Sequence, residues 1–165
     1  MDIFVEQLVN IRKSALVIAE MILLICAAVI LCVLLFLWSF NYPVLIFLIV
    51  GTIYGAGYLM RFFNIEYEYI LTNGTLDFDK IVAKSSRKRV ISVECKNIIR
   101  AEHINGSLPE ADEKFVFADL KSENLSYILV QNGAKRRLVV FEPNNKLIEG
   151  IKACAPANIS REFFK

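Results

Sequence analysis

The chain opens with a long apolar block and continues in short alternating runs. From Met21 to Met60 no residue is Asp, Glu, Lys or Arg, which is typical of membrane spans and too long for a helix buried in a soluble domain. A polar break, Ser-Phe-Asn-Tyr-Pro at 39–43, divides the block, and Pro43 suits the first turn of a helix. The pattern predicts two spans, at about 15–38 and 43–60, joined as an antiparallel hairpin.

Basic residues flank this block at its two ends only. Arg12 and Lys13 precede the first span and Arg61 follows the second, whereas the connecting loop has no charge. Because cytoplasmic flanks carry an excess of Lys and Arg, we expect a multi-pass protein of the cell membrane with both termini and everything after the spans in the cytoplasm. Glu20 could serve ion transfer, but with no partner acid it is expected to reach the headgroup region instead.

The second span contains a GxxxG spacing at Gly51 and Gly55. Small residues with this spacing let another helix approach closely. We expect the two glycines to serve helix packing within the hairpin, and the alternative is that they join two protomers.

From Phe62 to Glu142 the chain alternates between apolar and polar residues, as strands do. Runs at 65–71 and 76–79 flank Asn73-Gly74, which predicts a hairpin. Further strands are expected at 89–94, 98–104, 115–120, 127–131 and 135–142. After Pro143 the period becomes helical, with one apolar face, and Pro156 ends that helix.

This order predicts an α+β membrane protein with two parts. Residues 1–61 would form an N-terminal segment and the transmembrane hairpin, and 62–165 a cytoplasmic domain. Four strands, an acidic loop, three strands and a C-terminal amphipathic helix favour a pleckstrin-homology-like (PH-like) β-barrel or sandwich of about seven antiparallel strands. The helix would plug the open end of the sheets.

A resemblance to a known family points the same way. The segment YEYILTNGTL at 67–76, followed by Arg87-Lys88-Arg89 and Ile98, resembles the Y-x-L-T-N-x-x-L opening of bacterial PH-like domains. Membrane-bound members of that group place this opening directly after a pair of helices. Nearly the whole chain is similar to a family of small bacterial two-span membrane proteins. The resemblance implies the fold and brings no activity with it.

Composition limits the chemistry. The chain has 165 residues, 56% of them hydrophobic, a net charge of +2 and a single histidine, His103. One histidine excludes multi-histidine metal sites by count, and no glycine-rich loop opens a helix to cradle phosphate. The four cysteines lack CxxC spacing and are expected to be reduced. We predict that the protein is not an enzyme and uses no cofactor or metal.

Asp77 and Asp79 lie on one face of a predicted strand. Two neighbouring carboxylates could form a metal or acid/base pair. Such alternation more often marks the solvent face of a half-buried strand, and we interpret it in that way.

Two basic runs beside turns are the candidate contact surface. They consist of Lys84, Arg87, Lys88 and Arg89, and of Lys135, Arg136 and Arg137. Basic residues at the inner leaflet gain roughly 1 kcal/mol each from anionic lipid, so we hypothesise that these turns face the membrane, although the domain has little net charge. The first hairpin loop lacks Lys and Arg, which argues against phosphoinositide recognition, and nucleic acid is not expected.

The sequence therefore predicts a non-catalytic, membrane-anchored binding module. Its PH-like domain would serve a protein partner, for example by strand addition at a sheet edge, or the anionic headgroups of the bilayer. The alternative is a structural subunit of a membrane complex that forms homo-oligomers through the glycines of the second span.

Overall fold

The computed structural model describes residues 3–38, 42–104, 106, 108–122 and 124–156. The predicted interhelical loop (39–41), Asn105 in the predicted acidic loop, and the tail 157–165 lie outside the described residues. The elements in chain order are β1 (Phe4–Asn10), α1 (Ala15–Trp38), α2 (Tyr42–Arg61), β2 (Ile65–Thr72), β3 (Thr75–Val82), β4 (Ser86–Glu94), β5 (Ile98–His103), β6 (Glu113–Val116), β7 (Ser126–Asn132), β8 (Lys135–Phe141) and α3 (Asn145–Cys154). A short 3-10 turn, Cys95–Asn97, connects β4 and β5.

The chain divides into two compact units. A helical unit comprises 12–65 and the β3–β4 turn at 82–86, and a sheet unit comprises 1–11, 66–81 and 87–165. In the helical unit, α1 and α2 contact each other and are antiparallel, because only 39–41 separate them in the chain. Each helix is long and apolar enough to cross a membrane. The prediction of two apolar N-terminal helices is thus confirmed at the level of length and composition.

The first sheet has the strand order β1-β2-β3-β4. The predicted hairpin between β2 and β3 is present, and it turns at Asn73 and Gly74, whose φ angles of 46° and 88° lie in the left-handed region. Asparagine and glycine tolerate that region best. The β1 strand runs antiparallel to β2, with Val5 opposite Leu71 and Val9 opposite Tyr67.

The β1 strand is the element that the sequence did not predict. One of its inward residues, Gln7, is polar, and two of its outward residues, Phe4 and Leu8, are apolar and remain exposed. This removes the apolar/polar alternation by which a strand is recognised. Residues 4–10, which the sequence grouped with the hairpin, therefore belong to the first sheet, and the described part of the chain contains eight strands.

The second sheet has the order β5-β7-β8-β6. The sequence placed residues 98–104 with the first group of strands, but β5 pairs with β7, because the turn at Cys95–Asn97 carries the chain into the other sheet. The β6 strand pairs with β8 in parallel, so the sheet is not purely antiparallel as predicted. The two sheets do not close into a barrel, so the sandwich alternative is the correct one.

An aromatic core joins the inner faces of the sheets. Tyr69, Phe78, Phe117 and Phe141 pack edge-to-face or stacked, with ring centroids 4.8–5.7 Å apart. The Tyr69 hydroxyl donates a 2.8 Å hydrogen bond to the carbonyl of Phe117. Burial raises the pKa of this tyrosine well above its usual value, so the hydroxyl stays protonated.

The predicted C-terminal helix is present as α3 and closes one side of this core. Asn144 caps it by accepting a 2.8 Å hydrogen bond from the Leu147 N–H, and Leu147 and Ile151 are fully buried. A Cβ at Gly150 would lie 2.6 Å from Cδ2 of Leu71 and 3.5 Å from Cγ2 of Val5. The helix therefore needs glycine at this position to approach β1 and β2 so closely.

Candidate functional site

The first basic run begins at the turn between β3 and β4. The Ser85 N–H donates to the Val82 carbonyl at 3.2 Å, and both central residues, Ala83 and Lys84, have φ of 56°. Positive φ at both positions is the mark of a type I′ hairpin turn. The Ala83 N–H also donates a 2.9 Å hydrogen bond to the carbonyl of Asn64. This bond holds the exposed Lys84 beside the segment that follows α2.

Two arginines of β4 form ion pairs within the first sheet. Arg89 contacts Asp77 at 2.9 Å and Asp79 at 3.2 Å, and Arg87 contacts Glu68 at 2.8 Å. The three acids are only 8%, 3% and 1% exposed respectively. The prediction that Asp77 and Asp79 face solvent is therefore wrong, because β3 lies between two strands and the arginine side chains reach it from β4.

The buried Glu68 meets a second carboxyl, that of Glu6 on β1. Burial is the main cause that raises the pKa of Glu68, and its hydrogen bond with Glu6 raises it further, against the opposing effect of Arg87. Within the described part of the chain, the buried Oε2 of Glu68 has no donor.

The second basic run lies at the start of β8. Lys135 and Arg137 contact Glu113 of β6 at 3.2 and 2.7 Å, and the Arg136 N–H donates to Asp112. Lys135 and Arg137 both donate hydrogen bonds to the Glu113 carboxyl, and these bonds hold its pKa below the usual value, with Lys135 having the larger effect.

The two basic runs lie apart along β4. Most of the first run lies at the beginning of β4. Arg137, which belongs to the second run, lines a cleft of about 360 Å³ together with Ser92–Glu94 at the end of β4. Arg89, the last residue of the first run, lies three positions before Ser92, which is about 10 Å along a strand.

The family of the protein is identified by a match over nearly the whole chain. Residues 1–161 match the family described as bacterial PH-like domain (DUF6106). The protein belongs to this family. No curated protein and no solved structure matches the chain significantly. The resemblance read from residues 67–76 is thereby confirmed, and domains of this kind are generally non-catalytic binding modules.

In the described ranges no three His, Cys, Asp or Glu residues are grouped so as to hold a metal ion. Nδ1 of His103 lies 3.0 Å from the Ser126 hydroxyl, but Ser126 is fully buried and cannot meet a substrate. All four cysteines are free, and burial, with Cys154 nearby, raises the pKa of Cys95 to about 12.

The glycines of α2 have open surroundings. A Cβ added at Gly51, Gly55 or Gly57 would meet no atom within 4 Å. Contact between α1 and α2 therefore does not depend on the absence of these side chains. The Gly51 and Gly55 positions are open for another helix.

Sequence reasoning missed the ion-pair network of Glu68, Asp77 and Asp79. A signal was present: Asp77 and Asp79 alternate on one strand, and Arg87 and Arg89 alternate on the next. Opposite charges on adjacent strands stabilise each other when they lie on one face. Considering the two alternations together would have predicted ion pairs between these acids and arginines.

Proposed function

We propose that the protein is a membrane-anchored, non-catalytic binding module. In this proposal α1 and α2 cross the cell membrane as a hairpin, and the PH-like domain lies in the cytoplasm and binds a protein partner. The observation that carries the proposal is the pairing of β1 with β2, between which the two helices are inserted in the chain.

The pairing constrains the topology. Asn10 lies opposite Glu66, so the chain leaves the first sheet and returns to it at adjacent positions, through the short linkers 11–14 and 62–64. A chain that leaves and returns on one side of a membrane crosses it an even number of times. Two crossings match the two apolar helices, and the flanking Arg12, Lys13 and Arg61 favour the cytoplasmic side.

Two edge strands support the binding role. β4 and β5 are edges of their sheets, and each exposes an aliphatic side chain, Val90 at 42% and Ile99 at 43%. An edge strand presents unpaired N–H and C=O groups to an incoming chain. An extended peptide could add to either strand, with the aliphatic side chain giving apolar contact.

Sidedness is tested with single cysteines in a full-length chain whose native cysteines are replaced by alanine. In intact cells a membrane-impermeant maleimide should label Asn41→Cys and should label Asn132→Cys only after permeabilisation. Labelling of Asn132→Cys in intact cells would reverse the topology. Release of the protein by alkaline washing of membranes would refute the anchor.

The binding role needs a separate test. A photo-crosslinking amino acid at Val90 or Ile99 should capture one defined protein in cells. The same amino acid at Leu120, which is 65% exposed but outside any strand, is the matched control. Equal capture at all three positions would argue against edge recognition.

A second candidate function is self-association through α2, which the open positions at Gly51 and Gly55 favour. Gly51→Leu and Gly55→Leu should then reduce the oligomer size in detergent. Gly57→Leu is the control, because it lies on the opposite side of the helix from Gly55 and is equally open. An unchanged size in both glycine variants would remove this function.

A further inference from the structure

The free edge of β1 combines outward backbone groups, exposed apolar side chains and an acidic pair. We propose that β1 binds an extended segment of a protein partner as an added antiparallel strand. The segment carries Lys or Arg opposite Glu6, with an apolar residue two positions away on each side. This site deepens the proposed function and rests on it, since it requires that the domain binds a protein partner.

The hydrogen bonds between β1 and β2 show which backbone groups of β1 point outward. The Asn73 N–H donates to the Ile3 carbonyl at 3.0 Å, so these two residues form a hydrogen-bonded pair. Such pairs alternate with non-hydrogen-bonded pairs along an antiparallel ladder, and the register between β1 and β2 has no shift. The odd-numbered residues of β1 therefore bond to β2, and the even-numbered ones, from Phe4 to Asn10, direct their N–H and C=O groups away from it.

This edge is more exposed than those of β4 and β5. β1 is the end strand of the first sheet, and all four of its even-numbered residues are exposed. Phe4 and Leu8 are 66% and 50% exposed, compared with 42% for Val90 on β4 and 43% for Ile99 on β5. The β5 edge is also interrupted by a register shift at 98–100, and bulges of this kind hinder strand addition. A regular incoming strand therefore fits β1 better than β5.

Glu6 determines the charge that the partner segment carries. Its side chain lies between those of Phe4 and Leu8 on the outer face of the strand. It hydrogen-bonds with Glu68 of β2, whose side chain is 2% exposed. Within the described ranges, Arg87 is the one cation that forms an ion pair with either acid. A Lys or Arg opposite Glu6 brings a second cation and a donor to these two carboxyls as a cross-strand neighbour. β1 itself has no basic residue, so the β1 strand of a second copy would not supply this charge.

The test uses a synthetic peptide, Ser-Val-Thr-Lys-Thr-Val-Ser, with blocked ends and a fluorophore. With its lysine opposite Glu6, its two valines lie opposite Phe4 and Leu8. In fluorescence anisotropy, the full-length protein in an uncharged detergent should bind this peptide saturably, and should bind the version with glutamate in place of lysine about tenfold more weakly. The net charge of +2 favours the opposite order, so the difference reports the local contact. Absence of saturable binding, or equal affinity for the two peptides, would overturn the proposal.

Backbone pairing is tested by N-methylation of the peptide. In an antiparallel pair the residue opposite Glu6 directs its N–H to β1, and so do the residues two positions away. Methyl groups on the amides of the lysine and the second valine should therefore weaken binding about tenfold or more. Methyl groups on the amides of the two threonines, which face away from β1, should leave binding in place. Equal loss in both methylated peptides would refute antiparallel strand addition.

Variants of the protein locate the contacts. Glu6→Gln should bind the lysine and glutamate peptides within about threefold of each other, and Leu8→Thr should weaken both. Ile99→Thr, the matched change on the β5 edge, should leave both affinities unchanged. The low reactivity of the buried Cys95 thiol shows that each variant domain is folded. A lysine preference that persists in Glu6→Gln would contradict the role of this acid.

A photoreactive peptide separates failure of this site from failure of the proposed function. A benzophenone in place of the first valine should give adducts on β1. Adducts confined to β4 or β5 would refute the β1 site and leave the proposed binding role intact. If a photo-crosslinking residue at Leu8, Val90 or Ile99 captures no defined protein in cells, the binding role and the β1 site fail together.

Discussion

Removal of Arg89 tests whether the buried acids of the first sheet depend on it. The guanidinium contacts Asp77 and Asp79 at 2.9 and 3.2 Å, and the side chains of these acids are only 11% and 5% exposed. In Arg89→Gln both carboxylates lose their counterion while remaining mostly shielded from water. The domain should therefore become less stable, although Arg89 belongs to the run that the sequence assigned to lipid contact.

The magnitude lies between two limits. Breaking a fully buried ion pair costs about 3–5 kcal/mol, and losing a surface pair costs about 0–1 kcal/mol. Arg89 is 55% exposed, so solvent screens its charge, and Ser92 still donates a hydrogen bond to Asp77 in the variant. We expect a loss of about 2 kcal/mol, which corresponds to roughly a 30-fold change in the opening equilibrium.

Alkylation of Cys95 measures this change. Cys95 is completely buried, so in a full-length chain in detergent with the other three cysteines replaced by alanine, it reacts only when the domain opens. Arg89→Gln should raise the reaction rate about 30-fold, and the exposed neighbour Lys88→Gln should change it less than about threefold. Adding Asp79→Asn to Arg89→Gln should restore part of the loss. Equal rates for the two single variants would refute the reasoning.

Three further predictions use the same protein. Gly150→Val should destabilise the domain by about 1–3 kcal/mol because its side chain would collide with Leu71, whereas Ala153→Val on the exposed side should not, as measured by Cys95 alkylation. Because the pKa of Glu68 is raised in the folded state, its contribution to stability is present at acidic pH and lost as pH rises above its usual 4.5; Glu68→Gln should flatten the pH dependence of opening. Joining β1 directly to β2 by a short Asn-Gly turn should give a soluble folded domain by gel filtration and circular dichroism, whereas 62–156 without β1 should aggregate.

The sequence predicted those elements whose signal is local. The apolar helices follow from the absence of charge between Met21 and Met60, the β2–β3 hairpin from Asn73-Gly74, and α3 from its apolar face. Each depends on residues close together in the chain, so a single pattern suffices.

The features that the sequence did not predict depend on distant pairings. The β1 strand is separated from its partner by the whole helical hairpin, and its exposed Phe4 and Leu8 hide the alternation of a strand. The alternation of Asp77 and Asp79 is typical of a solvent-exposed strand face, and only the contact with Arg89 on the neighbouring strand shows that these acids are buried. Lys84 lies near Asn64 because its neighbour Ala83 donates a hydrogen bond to the Asn64 carbonyl, and β2 and β3 separate these two residues in the chain.

In the proposed topology, the position of the two helices between β1 and β2 in the chain links membrane insertion to folding. β1 is synthesised before both helices, and its partner β2 only after them, so the first sheet cannot be completed until the hairpin has returned the chain to the side of the N-terminus. A hairpin that inserted only one helix would separate the two strands by the bilayer. It would leave the edge of β2 unpaired and expose Leu71, which in the native fold is fully buried beneath α3. Correct topology is therefore a condition for a complete core, and a misinserted chain would carry an unstable, exposed domain that proteases can remove.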